Sequence, residues 1–166
     1  GNQRVQLLGS GSILREVIAA ADLLSEDFGI QADVWSCPSF NELKRDGDDT
    51  VRWNLLHPDR KPRVPHVTSC LEKHHGPVVA ATDYVKLFAD QIRAYIGRNF
   101  HVLGTDGFGR SDTRVSLRRH FEVNRFYVTV AALKMLADEG TIPTKTVKSA
   151  IRKYGLDPEK PNPLNV

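Results

Sequence analysis

Short apolar runs that alternate with segments of helical periodicity constrain the fold of this chain more than any other feature. Val5–Leu8 and Val78–Ala81 are compact apolar runs, a pattern typical of strands buried on both faces. Apolar residues recur every three or four positions in Ile13–Phe28 and Asn124–Glu139, as in helices with one buried face. Strands separated by helices need crossover connections. We therefore predict a three-layer α/β sandwich, with a mostly parallel (mixed) sheet and helices on both faces.

Residues with preferences for helix ends locate the remaining elements. Ser12 is expected to cap the first helix and Gly29 to end it, Ser39 and Glu42 fit a capping box, and Asn124 is expected to cap the helix that begins there. Continuation of that second helix through Asp46–Asp49 is doubtful on sequence grounds. The pattern also predicts strands at 32–37 and 102–103, and helices at 67–74, 84–96 and 143–154. Residues 1–156 are expected to form one domain and 157–166 a proline-rich tail.

Composition excludes several classes of protein. The 23 basic residues are scattered among 20 acidic ones, so the clustered charge of a nucleic-acid-binding protein is missing. No apolar run approaches the roughly 18 residues that a membrane span needs. Two cysteines are too few for a disulfide framework, which favours a reduced, cytoplasmic protein.

The turn Gly9–Ser12 offers one candidate binding site. It links a strand to a helix, where backbone amides can hold a nucleotide phosphate, and Asp33 lies at a suitable distance in sequence for a ribose contact. The third glycine of the dinucleotide fingerprint is replaced by Leu14. A tight structural turn is therefore the favoured interpretation, and a free-standing nucleotide-binding module is the alternative.

Soft metal ligands also occur at helical spacing. His66, Cys70 and His74 are four residues apart and would share one face of a helix, with His57 and His75 nearby in sequence. Zinc needs a fourth ligand and an orienting shell, for which the sequence gives no evidence, so no metal site is predicted. Cys37 lacks a recognisable base and is not predicted to be a nucleophile.

The segment Gly104–Asp112 is the densest local signal. It holds three glycines within six residues after a predicted strand, which indicates special backbone geometry. It lacks the lysine and hydroxyl of a phosphate-binding P-loop. From chemistry alone, a turn that buries Phe108 and an interface or anion-contacting loop that ends in Arg110 stay equally open.

Long stretches of this sequence resemble one enzyme family. They are Val5–Arg15, Arg52–Pro58, Ala81–Ala89 and Val102–Asp112, followed by Leu117–Arg118 and His120–Val123. In the same order, these stretches resemble the carboxy-terminal end of the homodimeric type of pyruvate dehydrogenase decarboxylating component, a member of the transketolase superfamily. The resemblance covers nearly the whole chain.

The resemblance implies a transketolase-like C-terminal domain of a larger, homodimeric parent enzyme. That parent would decarboxylate pyruvate on thiamine diphosphate and magnesium, and reductively acetylate the lipoyl group of its dihydrolipoyl acetyltransferase partner. The family's cofactor-binding Gly-Asp-Gly does not occur in this chain. We therefore expect no cofactor, metal or catalytic residue here, and a domain that is inactive alone.

The role that remains is structural and associative. The predicted interface with the other domains and with the dimer mate comprises Tyr84, Phe88, Gly107, Phe108, Gly109, Arg110 and Asp112. Docking of the acetyltransferase is a further role implied by the heterotetrameric relatives, and its transfer to this chain stays open. The basic residues that could serve it are Arg118, Arg119, Lys145, Lys148, Arg152 and Lys153.

Overall fold

Four strands form the sheet, as seen in a computed structural model that describes residues 3–105 and 118–163. The strands are β1 (Arg4–Gly9), β2 (Gln31–Ser36), β3 (Val78–Ala81) and β4 (Phe100–Leu103). They lie in the order β2-β1-β3-β4, and all three pairings are parallel. The predicted α/β class is confirmed, and the described part of the sheet is wholly parallel.

Helices cover both faces of this sheet, as predicted. One face carries α1, α5 and α6, and the other carries α2, α3 and α4. The structure also contains two short 3-10 turns, Gly11–Ile13 and Arg93–Tyr95. The helices are α1 (Leu14–Phe28), α2 (Phe40–Leu56), α3 (His66–Leu71), α4 (Lys86–Asp90), α5 (Arg125–Asp138) and α6 (Thr144–Lys153).

The central strand β1 is buried on both faces. Val5 and Leu7 contribute to the core on the α1 side, whereas Leu8 belongs to the core on the α2 side. Gln6, also fully buried, has its amide satisfied by the Asp33 carboxylate at 2.7 Å, the His75 carbonyl at 2.9 Å and the Trp35 indole at 2.8 Å. A buried polar side chain is tolerated when such bonds are complete.

Several predicted helix ends are confirmed. The Ser39 hydroxyl accepts a hydrogen bond from the Glu42 amide at 3.1 Å, which caps α2. The Asn124 carboxamide oxygen accepts from the amides of Phe126 and Tyr127 and caps α5. Gly29 ends α1 with a left-handed φ of +66°.

The sequence was misleading about Ser12. The residue at the N-cap of α1 is Ile13, and it makes no side-chain cap. The Ser12 hydroxyl is instead hydrogen-bonded to Asp83 and Arg118. Hydrogen bonds to residues distant in sequence thus take the place of the predicted cap.

The helices on the α2 side of the sheet also differ in extent from the sequence expectations. α2 continues without a break through Asp46–Asp49, and Gly47 within it lets the ring of Tyr95 lie directly on the helix. The predicted helix 84–96 is divided into α4 and a 3-10 turn. The Tyr84 carbonyl, which a helix would bond to the Phe88 amide, accepts from the Thr105 amide at 2.8 Å instead.

The proline-rich tail packs against the domain within the described residues. Lys160 donates to the carbonyls of His120 and Arg119 at 2.8 and 3.2 Å. Its ammonium also lies 3.7 Å from the Glu122 carboxylate. These contacts connect the tail to the segment that leads into α5.

Candidate interface site at the carboxyl edge of the sheet

The order of the strands brings the ends of β1 and β3 together. α1 leads from β1 to β2 on one face, and α2 and α3 lead back to β3 on the other. The gap between β1 and β3 is therefore the topological switch point, where open α/β sheets usually bind their ligands. The turn Gly9–Ser12 and the residues Thr82 and Asp83 border this position.

An ion pair lies beside this switch point. The Arg118 guanidinium donates to both carboxylate oxygens of Asp83, at 3.2 and 2.9 Å, and to the Ser12 hydroxyl at 3.0 Å. The Arg118 side chain is 11% exposed and that of Asp83 is 33% exposed. The hydrogen bond to Asp83 raises the pKa of Arg118 above its usual value. The ion pair is bidentate, because two guanidinium nitrogens donate to the two carboxylate oxygens, and this fixes the relative orientation of the two side chains.

Neighbouring hydrogen bonds hold the turn after β3 in place. The Thr82 hydroxyl oxygen accepts from the Ser10 hydroxyl at 3.2 Å and from the Tyr84 amide at 3.1 Å. Thr105 donates from its hydroxyl to the Asp83 carbonyl at 2.7 Å. Thr105 and Arg118, which flank residues 106–117, thus both bond to Asp83.

Gly104 allows β4 to approach this turn closely. A Cβ atom at Gly104 would stand 2.8 Å from the Lys86 nitrogen and 2.8 Å from the Tyr84 oxygen. Both contacts are with backbone, which cannot move aside as a side chain can. A glycine is therefore required here by packing.

The same turn presents an apolar surface to solvent. Tyr84 is 63% exposed, Val85 40% and Leu87 73%. Phe88 is half-buried beneath them and makes edge contacts with Tyr84 and Phe40, with ring centroids 5.5 and 5.6 Å apart. We call Tyr84, Val85 and Leu87 the 84–87 patch. Contiguous exposed apolar side chains of this kind are typical of interaction sites.

The predicted interface residues are thus only partly visible. Tyr84 and Phe88 lie together, the first exposed and the second supporting it. Gly107, Phe108, Gly109, Arg110 and Asp112 lie outside the described residues. Sequence reasoning missed the Asp83–Arg118 pair.

The nucleotide alternative at Gly9–Ser12 is not favoured. A Cβ atom at Gly9 would meet Val17 at 3.0 Å and Leu14 at 3.1 Å, so this glycine serves packing of α1 on β1. The Asp33 carboxylate, expected near a ribose, accepts from Arg4 and Gln6 at 2.7 Å each. Burial opposes ionisation of Asp33, but these bonds hold its pKa below the usual value.

The three soft ligands do not come together. α3 ends at Leu71, so His74 leaves the helix face that was predicted to include it. The Cys70 sulfur lies 3.4 Å from His66 Nε2, whereas His74 lies 3.5 Å from Asp33 and packs edge-on against Trp35. Across residues 3–105 and 118–163, no group of three or more His, Cys, Asp or Glu side chains could hold a metal ion.

A family model described as the transketolase-like TK C-terminal domain matches residues 1–124. The chain belongs to this family. A solved structure titled "Split gene transketolase, inactive beta4 tetramer" aligns with a TM-score of 0.55 and 18% identity, over 82% of this chain and 40% of that one. At that identity, the structural likeness supports the fold of a transketolase C-terminal domain and nothing further.

Curated relatives of this transketolase C-terminal domain confirm the resemblance seen in the sequence. The chain is 62% identical over 98% of its length to the pyruvate dehydrogenase E1 component of Cupriavidus necator. It is 61% identical over 97% to that of Pseudomonas aeruginosa and 55% identical over 96% to that of Escherichia coli K12. The chain spans 18% of the length of each of these relatives. Among the described residues, no helix is long and apolar enough to cross a membrane.

Proposed function

We propose that this chain is the structural and interface domain of a thiamine-diphosphate-dependent pyruvate dehydrogenase E1 component. The whole enzyme would decarboxylate pyruvate and reductively acetylate the lipoyl group of dihydrolipoyl acetyltransferase. Support comes from 62% identity to one such component, of which the chain matches 18%. The domain would contribute no catalytic group and would be inactive alone.

Thiamine diphosphate and magnesium would bind elsewhere in the parent enzyme. Magnesium is usually held by carboxylate and carbonyl oxygens together with substrate phosphates. The described part of this chain offers no carboxylate cluster suited to a metal, and the sequence contains no Gly-Asp-Gly. We therefore propose that the cofactor binds outside this domain, and that the domain contributes to the geometry of the parent enzyme.

The observation that carries the interface proposal is the 84–87 patch. Its three apolar side chains are exposed in this domain, while the backbone beneath them is fixed by the bonds of Thr82 and Thr105. A fixed apolar surface loses little conformational entropy when it is covered. We propose that the preceding domains of the parent or its homodimer mate cover it, together with Phe108 and Arg110 of the adjoining segment.

Substitution of Leu87 in the full-length enzyme tests this proposal. Leu87→Asp should weaken dimerisation or lower activity at least tenfold, because it would place a charge in an apolar contact. Ile18→Ser is the matched control, since Ile18 is 48% exposed on α1, outside the patch. Sedimentation velocity and pyruvate decarboxylation are the measurements. Unchanged assembly and activity in Leu87→Asp would refute the interface.

Docking of the acetyltransferase is a second proposed role. Lys145, Lys148 and Arg152 are exposed along α6 and make no ion pair with a described residue. The Lys153 ammonium instead lies 3.4 Å from the Asp27 carboxylate, and Arg118 forms an ion pair with Asp83. Calorimetric titration with the acetyltransferase's subunit-binding segment at low and moderate salt tests the role. Absent or salt-insensitive binding would exclude it.

A further inference from the structure

A second exposed apolar surface lies at the carboxyl end of α2, in the layer that faces away from α1. Val51 and Leu56 are each 54% exposed, Leu55 is 75% exposed and Val64 is 57% exposed. We call these four residues the α2 ridge. Together with the 84–87 patch they account for seven of the nine large apolar side chains that are strongly exposed within the described residues. Exposed apolar side chains are therefore concentrated at two places.

The segment that follows α2 is clamped to the helix by polar groups. The Asn54 carboxamide makes two hydrogen bonds with the Arg63 backbone, donating to its carbonyl at 3.0 Å and accepting from its amide at 2.8 Å. The Arg63 guanidinium stacks 3.7 Å from the centre of the Trp53 ring. His57 stacks on the same indole with centroids 4.2 Å apart.

In this arrangement polar side chains bond to the protein itself, while apolar side chains are exposed. The side chains of Asn54 and Arg63 fix the segment that follows α2, while the aliphatic side chains of Leu55, Leu56 and Val64 are exposed to solvent. A loop that only connected two elements would gain by the opposite arrangement. A fixed backbone with aliphatic groups outward is pre-organised for binding.

The side chains near the α2 ridge in sequence are mainly basic, which indicates the charge of a partner. Residues 52–63 contain four basic side chains and only one acidic one, Asp59. Arg52, Arg60 and Lys61 are exposed and make no ion pair with any described residue. A twofold contact between two copies of this chain would bring the same cations together, which costs free energy. The complementary partner is acidic.

We propose that the α2 ridge binds an amphipathic, acidic segment of a partner protein. Leucine-like side chains of that segment would cover Val51, Leu55 and Leu56, and its carboxylates would lie against Arg52, Arg60 and Lys61. An amphipathic helix is the simplest such segment, because its apolar stripe and its charged flanks match this layout. The inference rests on the α2 surface alone and does not depend on the identity of the parent enzyme.

Fluorescence anisotropy with a designed peptide tests the proposal. The probe is a fluorescein-labelled amphipathic helix with leucine on one face and glutamate on the flanks, and its partner probe has lysine in place of every glutamate. The chain should bind the glutamate peptide at least tenfold more tightly. Raising the ionic strength from about 0.01 M to about 0.15 M should weaken that binding, because the screening length falls from about 30 to about 8 Å.

Two variants and a matched control locate the site. Leu55→Ser and the double variant Arg60→Glu/Lys61→Glu should each weaken binding of the glutamate peptide at least tenfold. The control is Arg15→Glu/Ile18→Ser on α1, a basic and an apolar residue that are also exposed, and it should change affinity less than twofold. All the substituted side chains are exposed, and circular dichroism verifies that each variant folds.

Four results would overturn the proposal. Equal binding of the lysine peptide would refute the charge argument, and an equal loss in the α1 control would refute the location. Failure of the glutamate peptide to bind at about 1 mM, an affinity worth only about 4 kcal/mol, would refute the surface as a docking site. A dimer of this chain that dissociates in Leu55→Ser would show that a second copy is the occupant.

Discussion

Replacement of Asp83 by asparagine should destabilise the domain by about 2 kcal/mol. The change keeps the shape of the side chain but removes the charge that faces Arg118. Arg118 would then keep its charge at 11% exposure, with its bond to Ser12 and only a neutral amide in place of the carboxylate. The pair is therefore a sensitive test of whether the carboxyl edge of the sheet is held by electrostatics.

The magnitude follows from the burial of the two partners. Breaking a fully buried ion pair costs about 3–5 kcal/mol, whereas exposed pairs contribute about 0–1 kcal/mol. Asp83 is 33% exposed, so solvent screens part of the interaction and the expected cost lies between these limits. Two hydrogen bonds between charged groups, at 3.2 and 2.9 Å, place the expected cost above that of an exposed pair, at about 2 kcal/mol.

Urea denaturation of a double-mutant cycle measures the effect. The cycle comprises Asp83→Asn, Arg118→Met and the double variant, and a coupling free energy of about 1–2 kcal/mol is expected. Asp138→Asn is the control, since its i,i+4 pair with Lys134 is 58% and 59% exposed and should be worth less than about 0.5 kcal/mol. Strictly additive effects of the Asp83 and Arg118 changes would refute the reasoning.

Two further predictions concern the α2 side of the sheet. Gly47→Ala should destabilise the domain by about 1–3 kcal/mol in urea denaturation despite alanine's better helix propensity, because the methyl group would overlap the Tyr95 ring; a stabilised variant would contradict this. Burial, and secondarily the charge of Cys70, raises the pKa of Cys37 from 9.0 to about 11, so its thiol stabilises the fold fully below pH 9 and less as pH rises towards 11. Relative to Cys37→Ala, the wild type should lose up to about 2–3 kcal/mol between about pH 8 and pH 11 in urea denaturation with reductant, and a pH-independent difference would contradict the assignment.

Local signals in the sequence were sufficient wherever the interactions are local. The caps at Ser39 and Asn124 and the left-handed stop at Gly29 involve residues within five positions of one another, so the sequence pattern predicts them directly. The buried runs of β1 and β3 are equally visible, because a strand covered on both faces contains few polar residues. These elements are enough to predict a parallel α/β sandwich.

Long-range contacts explain the failures. Ser12 bonds to residues 71 and 106 positions away, and the Tyr84 carbonyl is taken by Thr105. Gly47 has a low helix propensity, but in the structure it lies within α2 and the Tyr95 ring packs against it. In each case a partner distant in sequence overrides a local preference. The Arg118–Arg119 cluster was visible in the sequence, but nothing there linked Arg118 to Asp83.

The two exposed surfaces differ in what surrounds them, and that difference separates their proposed roles. The 84–87 patch adjoins the ends of β3 and β4, and the hydrogen bonds of Asp83 connect it to both Thr105 and Arg118. Because these hydrogen bonds hold the 84–87 patch in one position, it would keep a covering domain in a fixed position, as a permanent domain interface requires. The α2 ridge rests on one helix and one clamped segment, and the same stretch of chain carries Arg52, Arg60 and Lys61, which form no ion pair with any residue that the structure describes. Those cations would steer an acidic partner and make its binding sensitive to salt, as expected for a contact that forms and dissociates.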